Sequence, residues 1–178
     1  VVTMSGSVPS GVPQDIYRDM IMAAKEAGKQ VILDTSGRLL EMGMQAKPTV
    51  VKPNQDELEL LFHEKIGGRE DVVAKAREIY DRGIPCVVVS LGGDGALMVC
   101  EDGVFQGIPP KIDVVNTVGC GDSMVGAIAA GLVRKWEPEK VLRYAVAVAG
   151  ANALSPNTGD FEREISERLF QRVEVIRL

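Results

Sequence analysis

"NTVGCGDSMVGA", residues 116–127, sets Gly119, Gly121 and Gly126 within eight positions and an acid, Asp122, between the last two of them. The sequence then turns apolar, "IAAGLV". Glycine is costly at a helix start unless something must approach the backbone closely. A loop entering a helix offers unpaired N–H groups beside a partial positive charge, and phosphate is the usual guest. Two familiar phosphate patterns fail here. G-x-G-x-x-G needs a glycine where Met124 stands, and G-x-x-x-x-G-K-[ST] fails because Ala127 follows Gly126. The segment therefore reads as a different phosphate loop. The same helix field favours an ionised Asp122, able to accept the proton of an attacking hydroxyl. On spacing alone a simpler reading stays open, in which Asp122 is a helix N-cap and the glycines serve packing.

Working outward, short apolar runs alternate with helical periodicity. Strands are expected at Val1–Met4, at "QVILD" (30–34), at "TVVKPN" stopped by Pro53, at "PCVVVSLG", and at "VEVIRL" at the end. "GALMVCED" and "GVFQGI" form a hairpin turning at "EDG". Helices are expected over 14–27, ended by Gly28, over "QDELELLFH" capped by Asn54, over 69–82, after the glycine loop, over 137–154 with Pro138 in the first turn, and over 160–171. "TSGRLLEMGMQ" is a loop leading into a short helix. Such alternation predicts an α/β fold, with a parallel sheet covered by helices on both faces. Ligands then bind outside the carboxyl ends of the strands, which here are "SGS", "DTSG", "KPN" and "SLGGDG".

Each of these ends has a bland and a chemical reading. "SLGGDGAL" is a tight turn, or a backbone over which a nucleotide passes. In "KPNQDEL", Asn54 and Glu57 share a helix face. They form a capping box, or they order the water shell of Mg²⁺. "SGSVPSG" is a Pro/Gly turn or a set of hydroxyls and amides for a substrate. His63 reads as an exposed helix-end residue, Trp136 as a packing anchor, and the cysteines as core or near-core.

Composition narrows the partners. Lys and Arg total 20 against 25 Asp and Glu, a net charge of −5, which disfavours nucleic acid or an anionic membrane. With aromatics at 4%, the core must be aliphatic. One histidine and three cysteines without a CxxC pair build no His/Cys metal cluster, and they fit a reducing, cytoplasmic setting. No apolar run approaches the roughly 18 residues a membrane span needs. The opening "VVTMSGSVPSGVP" reads as a strand entered in the middle, so the chain is expected to be the C-terminal part of a longer protein; a trimmed or processed domain is the alternative.

In this order the segments resemble the PfkB (ribokinase-like) family of carbohydrate kinases over essentially the whole chain. "NTVGCGDSMVGA" is similar to the family's Gly-x-Gly-Asp signature, "KPNQDEL" contains its N-x-x-E motif, and "VVVSLGGDGAL" looks like its nucleotide loop. "SGSVPSGVP" and "LDTSG" point to the phosphosugar branch of 1-phosphofructokinases and tagatose-6-phosphate kinases. The resemblance implies a three-layer α/β/α fold with a mostly parallel sheet. It implies an ATP- and Mg²⁺-dependent kinase acting on a sugar-phosphate hydroxyl. Asp122 would be the base, and Gly119, Cys120 and Gly121 the anion hole. Cys120 stands where Ala is usual, which leaves the backbone donor intact. Asn54 and Glu57 would organise Mg²⁺ through water. Lys52, Asn54, Ser90, Leu91, Gly92, Gly93, Asp94, Gly95, Val114, Val146 and Gly150 would line the nucleotide site, and Ser7 would touch the phosphosugar. Asn116, Val118, Ser155 and Asn157 sit where a monovalent cation such as K⁺ would be held.

Members of that family exceed a typical domain of ~100–150 residues about twofold. Most sugar contacts and a β-sheet lid lie in their N-terminal half. Residues 1–178 are thus expected to be the nucleotide-binding and catalytic part, with that half and its lid absent. The implied partners are ATP and a phosphosugar, with a homodimer in the full-length protein. The rival reading is a kinase-like half that binds nucleotide without turnover. A dinucleotide-dependent oxidoreductase is disfavoured by its failed fingerprint.

Overall fold

The computed structural model describes residues 1–178. In chain order the elements are β1 (Val2–Ser5), α1 (Ile16–Glu26), β2 (Val31–Asp34), α2 (Gly37–Met44), β3 (Val50–Val51), α3 (Gln55–Phe62), α4 (Arg69–Asp81), β4 (Cys86–Ser90), β5 (Ala96–Cys100), β6 (Gly103–Ile108), α5 (Cys120–Val133), α6 (Pro138–Ala153), α7 (Arg163–Phe170) and β7 (Glu174–Arg177). A single 3₁₀ turn, Gly92–Asp94, follows β4. The strands are ordered in the sheet as they are in the chain, β1 to β7. Packing divides the chain into two compact units, Val1–Ser90 with Met98–Asp102, and Leu91–Leu97 with Gly103–Leu178.

The first unit is built on parallel pairing of β1, β2, β3 and β4, with Val2 opposite Val31, Ile32 opposite Val50, and Val51 opposite Val87. β2 to β4 are β-branched and aliphatic because they are covered on both faces: Val31, Ile32, Leu33, Val50, Val51 and Val87–Val89 are all fully buried. The helices each contribute one aliphatic stripe, with Ile21, Leu40, Leu58 and Ile79 among the fully buried side chains. Each such side chain stabilises the fold by about 1.5–3 kcal/mol. β1 is the end strand of the sheet, and only Met4 of its four residues is buried.

In the second unit the last strand departs from the parallel scheme. β7 runs antiparallel to β6, with Phe105 opposite Arg177 and Ile108 opposite Glu174. Helices α5 and α6 pack closely where Gly131 faces Val141. A Cβ on Gly131 would lie 2.7 Å from Val141 Cγ2. Three of the eight aromatics meet in this unit, where Trp136 meets Tyr144 edge-on at 5.4 Å and Tyr144 meets Phe170 at 6.3 Å. Trp136 thus serves as the packing anchor its helix-junction position predicts.

Candidate active site

In the first unit the carboxyl ends of the parallel strands collect the polar residues. β1 ends opposite Asp34 at Ser5, and the turn beyond it is anchored from below. Tyr17 donates its hydroxyl to the carbonyls of Ser5 (2.8 Å) and Gly6 (3.2 Å), and Thr35 donates to Gly6 at 2.7 Å. Ser7 leaves this anchored turn exposed to solvent. Lys52, expected at a nucleotide site, is buried, and its Nζ lies 3.0 Å from Asp34 Oδ1. Ser90 closes β4, with its N–H on the carbonyl of Pro53 at 3.1 Å and a parallel bridge to Asn54.

Asn54 and Glu57 form a true capping box. Glu57 N–H donates to Asn54 Oδ1 at 2.8 Å, and Asn54 N–H donates to Glu57 Oε2 at 2.9 Å. The bland reading of this spacing is therefore real, yet it does not exclude the chemical one. Capping occupies Oε2 and leaves Oε1 of a half-buried carboxylate. Burial raises the Glu57 pKa above the ordinary carboxylate value, against the opposing pull of the Asn54 N–H and the Lys52 charge. A carboxylate and an amide side by side suit Mg²⁺, which prefers oxygen donors and keeps several of its waters. No group of three or more His, Cys, Asp or Glu forms a direct metal cage. The carboxylate oxygen that the cap leaves on Glu57 fits water-mediated binding.

In the second unit the glycine loop enters α5 through Gly119, whose φ of 85° is left-handed and whose position is the helix N-cap. No side chain caps this helix. The Cys120 N–H is turned back onto the Thr117 carbonyl at 3.2 Å, and the first helical bond runs from Ser123 N–H to Gly119 O at 2.8 Å. Asp122 is thus the third residue of the helix and not its N-cap. It is exposed, and its carboxylate makes no hydrogen bond or ion pair within the protein.

The loop from Leu91 to Gly95 is both a tight turn and an open surface. Leu91 N–H donates to Gly95 O at 2.8 Å, and Gly95 N–H to Gly92 O at 3.1 Å. Gly95 must be glycine, because a Cβ would fall 2.0 Å from the Gly107 carbonyl. Gly92 and Gly93 face open space, and Asp94 is exposed beside them. Of the other residues expected around a nucleotide, Val114 is exposed, Gly150 packs against Leu169, and Val146 is buried against Gly107.

The four residues expected around a monovalent cation come from two loops that touch. Asn116 Nδ2 reaches the Pro156 carbonyl (3.4 Å) and Thr158 Oγ1 (3.5 Å). Asn116 Oδ1 accepts the Val118 N–H at 3.0 Å, and Ser155 Oγ accepts the Asn157 N–H at 3.1 Å.

Sequence reasoning missed Tyr17 and Thr35, the anchors of the first turn. It read Asp34 only as a strand-end acid, not as the partner of Lys52. It also missed Asn152, a fully buried amide that bonds to Val118, Cys120 and Gly159. A signal existed: Asn152 is the one polar side chain in the run "AVAVAGANAL".

Residues 1–164 match the model of the pfkB family carbohydrate kinases. The chain is 38% identical over 175 residues to the 1-phosphofructokinase of Escherichia coli K12, covering 98% of this chain and 56% of that protein. It is 39% identical over 180 residues to the tagatose-6-phosphate kinase of Staphylococcus epidermidis, covering 99% and 58%. Its fold superposes with a TM-score of 0.91 on the phosphofructokinase-2 of E. coli solved in complex with potassium, at 34% identity, covering 96% of this chain and 56% of the other. The chain thus spans a little over half the length of the relatives it matches. No helix is long and apolar enough to cross a membrane.

Proposed function

Because the chain belongs to the pfkB family of carbohydrate kinases, we propose that residues 1–178 carry the nucleotide-binding and phosphoryl-transfer part of a kinase for a sugar-phosphate hydroxyl, of the phosphofructokinase or tagatose-6-phosphate kinase type. The observation that carries this reading is the start of α5, a left-handed glycine cap with no capping side chain and an exposed, unpartnered acid two residues into the helix. Helix N-termini left without side-chain caps attract anions. The helix dipole favours a carboxylate in this first turn, and exposure leaves that of Asp122 open to a substrate hydroxyl.

In this reading the N–H groups of Gly119 and Gly121 donate to the transferring phosphoryl oxygens. Cys120, whose N–H is held by Thr117, shapes the hole from the backbone. Asp122 accepts the proton of the sugar hydroxyl as its oxygen bonds to the γ-phosphorus of ATP. The bond from that phosphorus to its bridging oxygen breaks, and ADP leaves. Preorganised donors contribute most where charge develops. Asn54 and Glu57 would hold Mg²⁺ through water, where the ion supplies charge neutralisation at the phosphates. The open backbone at Gly92–Asp94 receives the nucleotide, and Lys52, Ser90, Val114, Val146 and Gly150 are assigned to the same function by the resemblance. Ser7 contacts the phosphosugar, and Asn116, Val118, Ser155 and Asn157 hold a monovalent cation. The setting is the cytoplasm, and the partners are ATP, a phosphosugar and a second copy of the natural protein.

The test is to supply the natural protein that carries this sequence with ATP and Mg²⁺, and with fructose 1-phosphate, fructose 6-phosphate and tagatose 6-phosphate in turn. ADP and a bisphosphate should form with at least one. A second reading is nucleotide binding without turnover. Bound ATP without product from any sugar would select it. Absence of nucleotide binding would overturn both.

A further inference from the structure

Asn152 lies in the last turn of α6 with no solvent exposure. A buried amide in an aliphatic run is unfavourable unless its hydrogen-bonding atoms find partners. Here they do. Nδ2 donates to the Val118 carbonyl at 2.9 Å and lies 3.2 Å from Cys120 Sγ, while Oδ1 accepts the Gly159 N–H at 2.8 Å. One side chain therefore grips the residues on both sides of Gly119 and also the loop that walls it in. A Cβ on Gly119 would lie 2.8 Å from Gly159 N, 2.9 Å from Thr158 Cγ2 and 3.3 Å from Asn152 Oδ1. The other ties between these loops, from Asn116 to Pro156 and Thr158, are exposed and long, at 3.4 and 3.5 Å.

We infer that Asn152 is a positioning residue: it fixes the left-handed turn at Gly119 and so aims the N–H groups of the phosphate loop and the carboxylate of Asp122. This rests on the phosphoryl-transfer reading above. The link to α5 is direct, because Gly119 O accepts the first bond of that helix, from Ser123. If Val118 rotates, Gly119 rotates with it, and the first turn that carries Asp122 is re-aimed. A group that only filled core space would change stability without changing the chemical step. A group that aims the loop must change kcat while leaving KM for ATP little altered.

The decisive variants are Asn152→Ala and Asn152→Asp in the natural protein, assayed with ATP and the phosphoketohexose it turns over. Asn152→Ala should lower kcat by roughly 10²-fold, the effect of a small misplacement of reacting groups, with KM for ATP little changed. Asn152→Asp is nearly isosteric and supplies the finer test: it keeps the volume and an acceptor for the Gly159 N–H but removes the amide donor to the Val118 carbonyl, so it should lower kcat with KM for ATP little changed. Unchanged kcat in both variants overturns the inference. Amide exchange in the wild type needs no variant to fold. Gly159 should exchange much more slowly than its neighbour Thr158, and equal rates would show that the tie does not hold the loop. If the wild type transfers no phosphoryl group, the proposed function fails instead, and exchange at Gly159 still reads the grip of Asn152 separately.

Discussion

Lys52 and Asp34 form a buried ion pair, Nζ to Oδ1 at 3.0 Å, with their side chains 5% and 14% exposed. They follow and end neighbouring parallel strands, so the pair ties the carboxyl ends of β2 and β3. Removing one partner of a buried pair strands the other charge, at a cost of about 3–5 kcal/mol. Lys52→Met should therefore destabilise the protein strongly in urea denaturation. Lys65→Met breaks the pair with Glu59, whose lysine is 93% exposed, and should cost less than about 1 kcal/mol. Equal effects of the two substitutions would mean that the buried pair is not a structural tie.

Glu57→Gln separates capping from metal binding. Gln still accepts the Asn54 N–H through its amide oxygen, so the capping box survives in part. Burial raises the Glu57 pKa in the folded protein. Folding is then favoured by this group below its unfolded pKa, and that contribution is lost as pH rises through the folded pKa. The melting temperature of Glu57→Gln relative to wild type should accordingly rise from pH 4 toward pH 7, and the variant should not melt lower at neutral pH. Its Mg²⁺ dependence of rate should change markedly. A lowered melting temperature with unaltered Mg²⁺ dependence would leave Glu57 as a cap alone.

Gly119→Ala forces a Cβ into a left-handed residue, costing about 1–2 kcal/mol from the backbone alone. The methyl group would also meet Gly159 N at 2.8 Å. The variant should lose most of its kcat at temperatures where circular dichroism still reports a folded protein. Retention of full activity would mean that the turn at Gly119 is not part of the phosphate loop.

Cys86 is held in the thiol form. Burial, with a smaller contribution from Cys100, pushes its pKa up to about 12. Alkylation of native protein should spare Cys86 at pH 8 and reach it only as the pH nears that value, whereas urea-unfolded protein should react readily. Stability from this partly exposed residue's thiol is complete below the unfolded pKa of about 8.5 and declines as pH rises toward the folded one. Rapid modification of native Cys86 at pH 8 would contradict the burial argument.

Much of the fold was legible because its elements are punctuated. The β-branched run at 86–90, the Asn54 cap and Pro138 each mark a boundary the structure keeps within a residue or two. The antiparallel placing of β7 was not legible, since a short strand ending in "EVIRL" carries no sign of its neighbour. The last helix is shorter than its periodicity predicts, starting at Arg163 rather than Asp160. Local signals located Asp122, Gly119, Asn54 and Glu57. They could not reveal Asp34 under Lys52 or Asn152 under Gly119, since those contacts join residues 18 and 33 positions apart. Spacing also left Asp122 undecided between cap and base, and only the N-cap at Gly119 removes the first.

The central claim is that Asp122 receives the proton of the attacking hydroxyl. Asp122→Asn is nearly isosteric and leaves the backbone donors in place, so ATP should bind the variant of the natural protein as it binds the wild type. The measurement is single-turnover phosphoryl transfer from ATP to the phosphoketohexose, with nucleotide affinity determined in parallel. Loss of a general base lowers the rate on the order of 10²–10⁴-fold, and this account predicts a fall in that range with nucleotide affinity retained. A variant that transfers phosphate at nearly the wild-type rate would contradict it and would place the base elsewhere.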